Sequence, residues 1–155
     1  MIIREYKSDD CGQIEKLFYE TVHTVNAADY TEKQLDAWAP ANLDPERWNA
    51  AFSGRLCLVA EEDGEILGFG DIDAERGYLD RLYTGKNSQR RGIATLLCDR
   101  LEAAVSGDTI ITHASITAKP FFKKRGYVTV KEQTVICRGV PLNNFVMKKV
   151  VITDH

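Results

Sequence analysis

A polar segment in the second half of the chain combines two arginines with a glycine and directly precedes apolar residues at helical spacing. The spacing predicts a loop and then a helix whose first turn is residues 90–95. The first N–H groups of a helix lack internal partners, and the helix dipole adds positive charge there, so this end attracts anions. Gly92 lets a phosphate approach the backbone, and Arg90 and Arg91 add charge. The pattern therefore predicts a diphosphate-binding turn.

Other phosphate-binding patterns fit the chain poorly. No G-x-x-x-x-G-K-[ST] segment is present, and Gly68-Phe69-Gly70 lacks the third glycine of a dinucleotide turn, because Asp73 stands at that position. The spacing of residues 90–95 fits an ordinary helix start with surface arginines equally well. The surroundings of this segment must therefore decide its chemistry.

Short strands and helices alternate along the rest of the chain. Period-2 patterns and turn residues predict strands at 2–6, 56–60, 66–72, 77–84, 109–114, 127–137 and 145–150, with the last turn at 139–141. Helical spacing and capping residues predict helices at 8–25, 31–39, 45–52, 93–105 and 119–125. This order predicts a mixed α/β fold with a right-handed crossover at the long helix.

The composition is typical of one soluble domain spanning residues 1–155, with 44% hydrophobic and 28% charged residues. A net charge of −3 argues against a dedicated nucleic-acid-binding protein. The charged N-terminal residues, and the lack of an apolar run of ~20 residues, predict a cytoplasmic protein with no membrane partner. The four cysteines are far apart in sequence, which argues against a zinc site and predicts reduced thiols.

Two motifs resemble those of the GNAT superfamily of N-acetyltransferases. Residues 89–94, Gln-Arg-Arg-Gly-Ile-Ala, match that family's Gln/Arg-x-x-Gly-x-Gly/Ala signature, and residues 118–127 resemble its Ala-x-x-Phe-Tyr-x-x-x-Gly-Phe helix. Residues 114–122, 137–139 and 144–145 look like the YafP-like branch. The resemblance covers nearly the whole chain. It implies the GNAT fold, with a mixed, mostly antiparallel central sheet of about seven strands flanked by helices.

The resemblance implies that acetyl-CoA is the co-substrate and that no metal takes part. The backbone of residues 82–84 is then expected to pair with the pantetheine arm, and residues 90–95 to hold the pyrophosphate. Ser115 and Phe121 are expected to contact the arm. The implied cofactor-binding residues are Leu82, Tyr83, Thr84, Arg90, Arg91, Gly92, Ile93, Ala94, Thr95, Ser115 and Phe121.

The resemblance also implies direct attack of an amine on the thioester. A base is needed, because most alkyl amines are protonated at neutral pH. The catalytic candidates are Asp80, in the strand that ends at the acetyl site, and His113, at the end of the neighbouring strand. Each has a structural alternative: Asp80 could pair with Arg81, and His113 could be a hydrogen-bonded strand residue.

The acceptor site is expected in the helical segment near the N-terminus, where His23, Tyr30 and Trp38 are predicted to bind substrate. Aromatic residues there could equally belong to the core, which is the prediction for Trp48. The predicted partner is a small-molecule amine, bound by a monomer or homodimer. Two alternatives stay open: a protein or peptide acceptor, which favours an open acidic groove, and a non-catalytic acyl-CoA sensor.

Phe122 departs from the family pattern. It stands where the family has the tyrosine that protonates the departing thiolate, and a phenylalanine cannot donate a proton. A thiol with a pKa of about 8.5 can leave as the thiolate with little help. Tyr83, Tyr127 or a water molecule could replace the missing acid.

Overall fold

The computed structural model describes residues 1–42 and 44–151. Its strands are β1 (Ile2–Glu5), β2 (Leu56–Glu62), β3 (Glu65–Asp73), β4 (Tyr78–Thr84), β5 (Thr109–Ser115), β6 (Val128–Cys137) and β7 (Val140–Val150). Its helices are α1 (Cys11–Thr24), α2 (Glu32–Trp38), α3 (Glu46–Ala51), α4 (Ile93–Ala103) and α5 (Lys119–Lys124). The order of these elements agrees with the predicted order.

The seven strands form one sheet in the order β1-β2-β3-β4-β5-β7-β6. Neighbouring strands are antiparallel except β4 and β5, which confirms the expected mixed, mostly antiparallel sheet. The parallel pair holds at only two positions, Tyr78 with Ile111 and Leu79 with Thr112. Residues 80–84 of β4 therefore have an edge that no strand of the described chain pairs.

Strand β4 has one extra residue relative to β3. Asp71 pairs with Arg81 and Ile72 pairs with Leu79, so Asp80 lies between these pairs without a partner. Such bulges bend a strand and re-aim a side chain, and they are common beside active sites. The bulge lies where β4 separates from β5, so it places Asp80 at the start of the gap between the two strands.

Two hydrophobic clusters hold the helices to the sheet. The first contains the apolar stripe of α1, which is buried as its spacing predicts: Ile14, Leu17, Phe18, Thr21 and Val22. Trp48 lies in the same cluster, with its ring against Phe18, Phe52 and Phe69, which confirms its prediction as a core residue. The second cluster contains the buried face of α4: Ile93, Leu97, Cys98 and Leu101.

Two glycines in β3 allow α4 to lie close to the sheet. A Cβ atom at Gly68 would be 2.9 Å from Ile93 Cγ2, and one at Gly70 would be 2.9 Å from Leu101 Cδ1. A larger residue at either position would force the helix or the strand to shift. The distance between α4 and the sheet is therefore set by β3.

The structure confirms residue 93 as the start of the long helix, as the apolar spacing predicts, whereas the first turn predicted at residues 90–95 is wrong. Helix α4 begins at Ile93, and Gly92 is its N-cap residue with φ 77°. Arg90 also has a positive φ, 63°, so residues 90–92 form a turn before the helix. Left-handed backbone cannot continue into a right-handed helix, which explains why the first turn of the helix does not begin at Arg90.

The predicted position of the last turn is also wrong. Strands β6 and β7 are joined by Arg138 and Gly139, which have φ values of 47° and 78°. Two residues with positive φ match the twist of a hairpin and favour a tight turn. Strand β7 therefore begins at Val140, and Pro141 lies inside it.

Candidate active site

The gap between β4 and β5 contains a cavity of about 210 Å³, which we call the splay cavity. Residues from β4, α4, β5 and α5 line it. Six of the predicted cofactor-binding residues are among them: Leu82, Tyr83, Thr84, Ala94, Ser115 and Phe121. The structure therefore brings these residues from distant parts of the chain together around the split.

A second cavity of about 370 Å³ lies beside the β6–β7 hairpin, and we call it the hairpin cavity. Its apolar wall includes Phe18, Tyr30, Trp38, Val135 and Leu142. The residues that line both cavities are Trp38, Asp80, Tyr83, His113 and Ser115. Both predicted catalytic residues therefore lie where the two cavities adjoin.

The start of α4 presents backbone N–H groups that no side chain caps. A Cβ atom at Gly92 would meet nothing within 4 Å, so the space beside this residue is open. The Ile93 side chain is buried in the core, so this residue offers a ligand only its backbone. Thr95 is exposed one turn into the helix. These features suit a bound anion.

The two arginines before α4 differ in their surroundings. Arg91 Nη2 lies 3.0 Å from Glu62 Oε2, and hydrogen bonding within this exposed pair lowers the pKa of Glu62. Arg90 is exposed and takes part in none of the ion pairs of the described chain. Arg91 would therefore have to leave Glu62 to contact a phosphate, whereas Arg90 would not have to break an ion pair.

Gln89 shapes the loop between β4 and α4. Its amide donates hydrogen bonds to the carbonyl oxygens of Thr84 at 2.7 Å and Gly85 at 3.1 Å. The Thr21 hydroxyl also donates to the Thr84 carbonyl, at 3.2 Å. The Thr84 carbonyl therefore accepts two hydrogen bonds from side chains of the protein itself. Gln89 was not predicted as a site residue, although it opens the signature.

Asp80 forms ion pairs with two arginines through one oxygen. Its Oδ2 lies 2.7 Å from Arg55 Nη1 and 3.3 Å from Arg81 Nη1. The contact with Arg81 was a predicted alternative, whereas no sequence signal indicated Arg55. Within the described chain, no residue donates a hydrogen bond to Asp80 Oδ1. That oxygen can therefore accept a hydrogen bond or a proton from a ligand.

The same two arginines also contact Asp71, which is fully buried. Asp71 Oδ2 lies 2.9 Å from Arg81 Nη1 and 3.6 Å from Arg55 Nη1. Burial raises the pKa of Asp71 to about 6, against the lowering effect of Arg81. With both carboxyl groups ionised, these two carboxylates and two guanidinium groups carry no net charge.

His113 lies on the exposed face of β5. The Tyr78 hydroxyl is 3.5 Å from His113 Nδ1, which is long for a hydrogen bond, and the two rings pack edge to face with centroids 5.3 Å apart. The predicted structural alternative therefore has only weak support from its contacts. His113 stays a candidate base.

Tyr83 and Tyr127, the two side chains that could replace the proton donor missing at Phe122, differ in their access to the cavities. Tyr127 is buried, donates a hydrogen bond to Glu102 at 2.8 Å and lines neither cavity. Tyr83 lines both cavities, and its hydroxyl accepts a hydrogen bond from Trp38 Nε1 at 3.2 Å. Burial raises the pKa of Tyr83, so its phenol stays protonated. Tyr83 is therefore the better placed proton donor.

Two of the predicted substrate-binding residues are held by the protein itself. The Tyr30 hydroxyl donates to the Asn143 carbonyl at 2.7 Å and accepts from the Ile116 N–H at 2.9 Å, so it offers the hairpin cavity mainly its ring. His23 Nε2 donates to the Ala39 carbonyl at 2.8 Å. His23 lines neither cavity, so the structure does not bring it together with Tyr30 and Trp38 in the hairpin cavity.

The turn that leads from β5 into α5 closes the other side of the splay cavity. Ser115 Oγ accepts a hydrogen bond from the Ala118 N–H at 3.0 Å. Phe121 and Phe122 pack edge to face with centroids 5.2 Å apart, and both line the cavity. The Lys119 ammonium group lies 4.0 Å from the centre of the Phe145 ring. This side of the cavity therefore presents mainly apolar surface.

Across residues 1–42 and 44–151, no cluster of three or more His, Cys, Asp or Glu side chains is arranged to hold a metal ion. None of the helices in the described chain combines the length and apolar character that a membrane span requires.

Sequence comparison identifies relatives along most of the chain. The family model for the acetyltransferase (GNAT) domain matches residues 26–149. The chain is 36% identical over 146 residues to the uncharacterized N-acetyltransferase YafP of Escherichia coli (strain K12). That alignment covers 94% of this chain and 93% of the relative.

Solved structures share the fold. A GCN5-related N-acetyltransferase from Rhodopseudomonas palustris has a TM-score of 0.90 and 32% identity, covering 97% of this chain and 95% of that one. The PaiA N-acetyltransferase of Thermoplasma acidophilum, solved with coenzyme A, has a TM-score of 0.76 and 18% identity. That alignment covers 96% of this chain and 98% of the PaiA chain, and at this identity it shows a likeness of fold alone. Because the domain model and an N-acetyltransferase relative both match most of its length, the chain belongs to the GNAT family of acetyltransferases.

Proposed function

We propose that the chain transfers the acetyl group of acetyl-CoA directly to a small-molecule amine bound in the hairpin cavity. Membership of the GNAT family establishes the reaction class, acetyl-CoA-dependent N-acetyl transfer. The observation that carries the finer proposal is the pair of adjoining cavities with a shared set of polar residues. The splay cavity then receives the acetyl donor, and the hairpin cavity receives the acceptor.

The residues around the splay cavity suit acetyl-CoA. The unpaired edge of residues 80–84 offers backbone groups to an amide-bearing arm, and the uncapped start of α4 suits a diphosphate. Phe121 and Phe122 supply an apolar wall beside the arm. When bound, acetyl-CoA supplies the activated acetyl group.

We assign the base to Asp80, with His113 as the second candidate. A base is required because only about one alkyl amine in a thousand is neutral at pH 7. Asp80 Oδ1 has no donor from the described chain and borders both cavities, so it can take the proton of a bound amine. Tyr83, protonated and also at the boundary, can donate a proton to the departing thiolate.

The size and charge of the hairpin cavity favour a small acceptor. Its volume of about 370 Å³ falls within the range of about 300–1,000 Å³ that is usual for small-molecule sites. Apart from the titratable His113, the charged side chains that line it are Asp80 and Arg81. Asp80 Oδ2 lies 3.3 Å from Arg81 Nη1, so these two charges balance each other. The cavity therefore lacks the excess of acidic groups that would favour a basic peptide.

An acceptor screen tests the proposed function. The purified chain, acetyl-CoA and a panel of amines are incubated, and release of the coenzyme A thiol is followed. We expect turnover with small amines and none above background with lysine-containing or free-N-terminal peptides. Turnover with peptides alone would replace the proposal with peptide acetylation. Acetyl-CoA binding by calorimetry without turnover on any acceptor would indicate a sensor.

Replacing Gly92 with valine is expected to weaken acetyl-CoA binding by roughly 10- to 30-fold. That is the effect of losing about 1.4–2 kcal/mol, the upper part of the range for charge interactions at a helix terminus. Valine cannot easily adopt φ 77°, and its side chain would fill the open space beside the helix start. Isothermal titration calorimetry measures the affinity.

The matched control is Gly139→Val. Gly139 has nearly the same φ, 78°, and a Cβ atom there would also meet nothing within 4 Å, but this glycine lies in the β6–β7 turn. The control carries the same backbone strain without touching the helix start, so its affinity is expected to stay at the wild-type value. Equal affinities for Gly92→Val and the wild type would contradict the phosphate site.

A further inference from the structure

One residue that lines the hairpin cavity carries a buried polar atom without a protein partner. Asn144 Oδ1 is buried and accepts no hydrogen bond within the described chain, although the residue lines the cavity. Its neighbour Asn143 differs, because Asn143 Oδ1 accepts a hydrogen bond from Thr134 Oγ1 at 3.2 Å. A buried acceptor without a donor is costly, so proteins rarely keep one unless a ligand or water satisfies it.

Asn144 is positioned by the pairing of three strands. In β7 it lies opposite Ser115 of β5 on one side and opposite Gln133 of β6 on the other. Ser115 borders both cavities, so Asn144 lies one strand away from the place where the donor and acceptor cavities adjoin. A hydrogen bond to Asn144 would therefore fix a ligand in the hairpin cavity close to the residues of the reaction.

The charges around the hairpin cavity limit what this ligand can be. Asp80 is its one acidic lining residue in the described chain, and Asp80 Oδ2 is held by Arg55 and Arg81. One ammonium group can be balanced by the remaining oxygen of Asp80. Each further ammonium group would need another carboxylate, because a buried charge without a partner is strongly unfavourable.

The remaining wall is apolar and aromatic. Phe18, Trp38 and Leu142 line the cavity, and the Tyr30 and Trp38 rings pack edge to face with centroids 5.3 Å apart. Such a wall binds a hydrocarbon or aromatic skeleton through its buried apolar surface.

We propose that Asn144 Oδ1 accepts a hydrogen bond from the acceptor amine, and that the acceptor is a primary monoamine with an apolar or aromatic skeleton. This inference rests on the proposed function and adds to it a specificity-determining residue and a substrate class. Asn144 acts in binding, whereas Asp80 takes the proton. Polyamines and aminoglycoside-like polycations are excluded by the shortage of carboxylates.

The test compares steady-state kinetics of the full chain with phenethylamine, spermidine and a lysine peptide as acceptors. For the wild type, kcat/KM is expected to be at least about 10-fold higher with phenethylamine than with spermidine, since one unpaired buried charge costs more than this. Asn144→Leu is expected to raise the KM for phenethylamine by about 10-fold with little change in kcat, as for loss of a uniform binding contact.

Two further variants separate binding from structure. Asn144→Gln keeps a neutral amide acceptor oxygen, so its KM is expected to stay within about 3-fold of the wild-type value, the difference that roughly 0.7 kcal/mol makes. Gln133 pairs with Asn144 across the strands but does not line the cavity. Gln133→Leu removes its amide and is expected to leave the KM for phenethylamine at the wild-type value. Melting temperature and acetyl-CoA affinity, measured for each variant, confirm that it is folded.

Each result bears on one part of the inference. An unchanged KM in Asn144→Leu, or an equal rise in KM in Asn144→Gln and Asn144→Leu, would overturn the role of Asn144. A wild-type preference for spermidine would overturn the acceptor class and leave the proposed function standing. If acetyl-CoA binds but no amine is acetylated, the proposed function fails and the inference fails with it.

Discussion

Asp80→Asn is expected to lower kcat for acetyl transfer by about 100-fold or more, because general-base catalysis contributes roughly 10²–10⁴-fold to rate. Asparagine keeps the shape of the side chain at the bulge but cannot take a proton from the amine. Affinity for acetyl-CoA is expected to be unchanged, since the substitution leaves the start of α4 intact. Thiol release at saturating acetyl-CoA measures kcat, and calorimetry measures affinity.

A missing base can be told from a disturbed structure by chemical rescue. Added formate is expected to restore part of the activity of Asp80→Ala, because a small carboxylate can occupy the space left by the side chain. Asp73→Asn is the control, since Asp73 lies 3.9 Å from Arg76 and lines neither cavity. If Asp80→Asn keeps kcat within about 3-fold while His113→Gln loses about 100-fold, the base is His113.

Glu102→Leu is expected to lower the free energy of unfolding by about 3–5 kcal/mol, which is typical when one partner of a buried ion pair is removed. Glu102 joins α4 to the C-terminal strands: it accepts hydrogen bonds from Arg125 at 2.7 Å, Lys149 at 3.0 Å and Tyr127 at 2.8 Å. Leucine would leave two cations and a buried hydroxyl without this partner. Urea denaturation measures the loss.

Asp99→Asn provides a control on the same arginine. Asp99 lies 2.6 Å from Arg125 Nη2, but its side chain is 59% exposed, whereas that of Glu102 is 10% exposed. An exposed pair contributes about 0–1 kcal/mol, so this variant is expected to lose less than about 1 kcal/mol. Equal losses for the two variants would mean that burial does not determine the strength of these pairs.

The contribution of Glu102 to the free energy of unfolding should decrease as the pH falls. Burial raises the pKa of Glu102, but hydrogen bonds from Arg125, Lys149 and Tyr127 outweigh burial, and the pKa lies below its ordinary value of 4.5. Stability from such a carboxyl is present above that ordinary value and is lost as the pH falls through the folded pKa. The difference between wild type and Glu102→Leu should therefore be full at pH 7 and shrink in acid; a constant difference would contradict this.

Local signals predicted most elements of the fold. Thr31 and Gln34 form a capping box at the start of the helix predicted at 31–39, with each side chain accepting a hydrogen bond from the other residue's backbone N–H. Asp63 and Gly64, between the strands predicted at 56–60 and 66–72, form the turn from β2 to β3, both with positive φ. These features depend on neighbouring residues, so the sequence displays them directly.

The parts of the site that the sequence did not reveal depend on distant pairing. The bulge at Asp80 exists only because β3 and β4 pair in a particular register. The Tyr30 hydroxyl bonds to backbone groups of Ile116 and Asn143, which are 86 and 113 residues away. Propensity and spacing cannot show such contacts, and so neither the bonding of the Tyr30 hydroxyl nor the part played by Arg55 was predicted.

The error at the helix start has a local cause. Arginine is a good helix former, so residues 90–91 fit a helical pattern. The structure instead has Arg90 and Gly92 with positive φ, and this places the first N–H groups beside open space. A glycine at the N-cap position was the signal that would have corrected the prediction.

The two glycines in β3 imply that cofactor affinity can be adjusted from a site that no ligand touches. Gly68 and Gly70 fix how deeply α4 is seated, and the N-terminal end of that helix carries the proposed phosphate contacts. An added methyl group at position 68 would push against Ile93, the first residue of the helix, and tilt its leading end. Related enzymes could therefore differ in their affinity for acetyl-CoA through substitutions at these remote positions, while every side chain around the ligand stays the same.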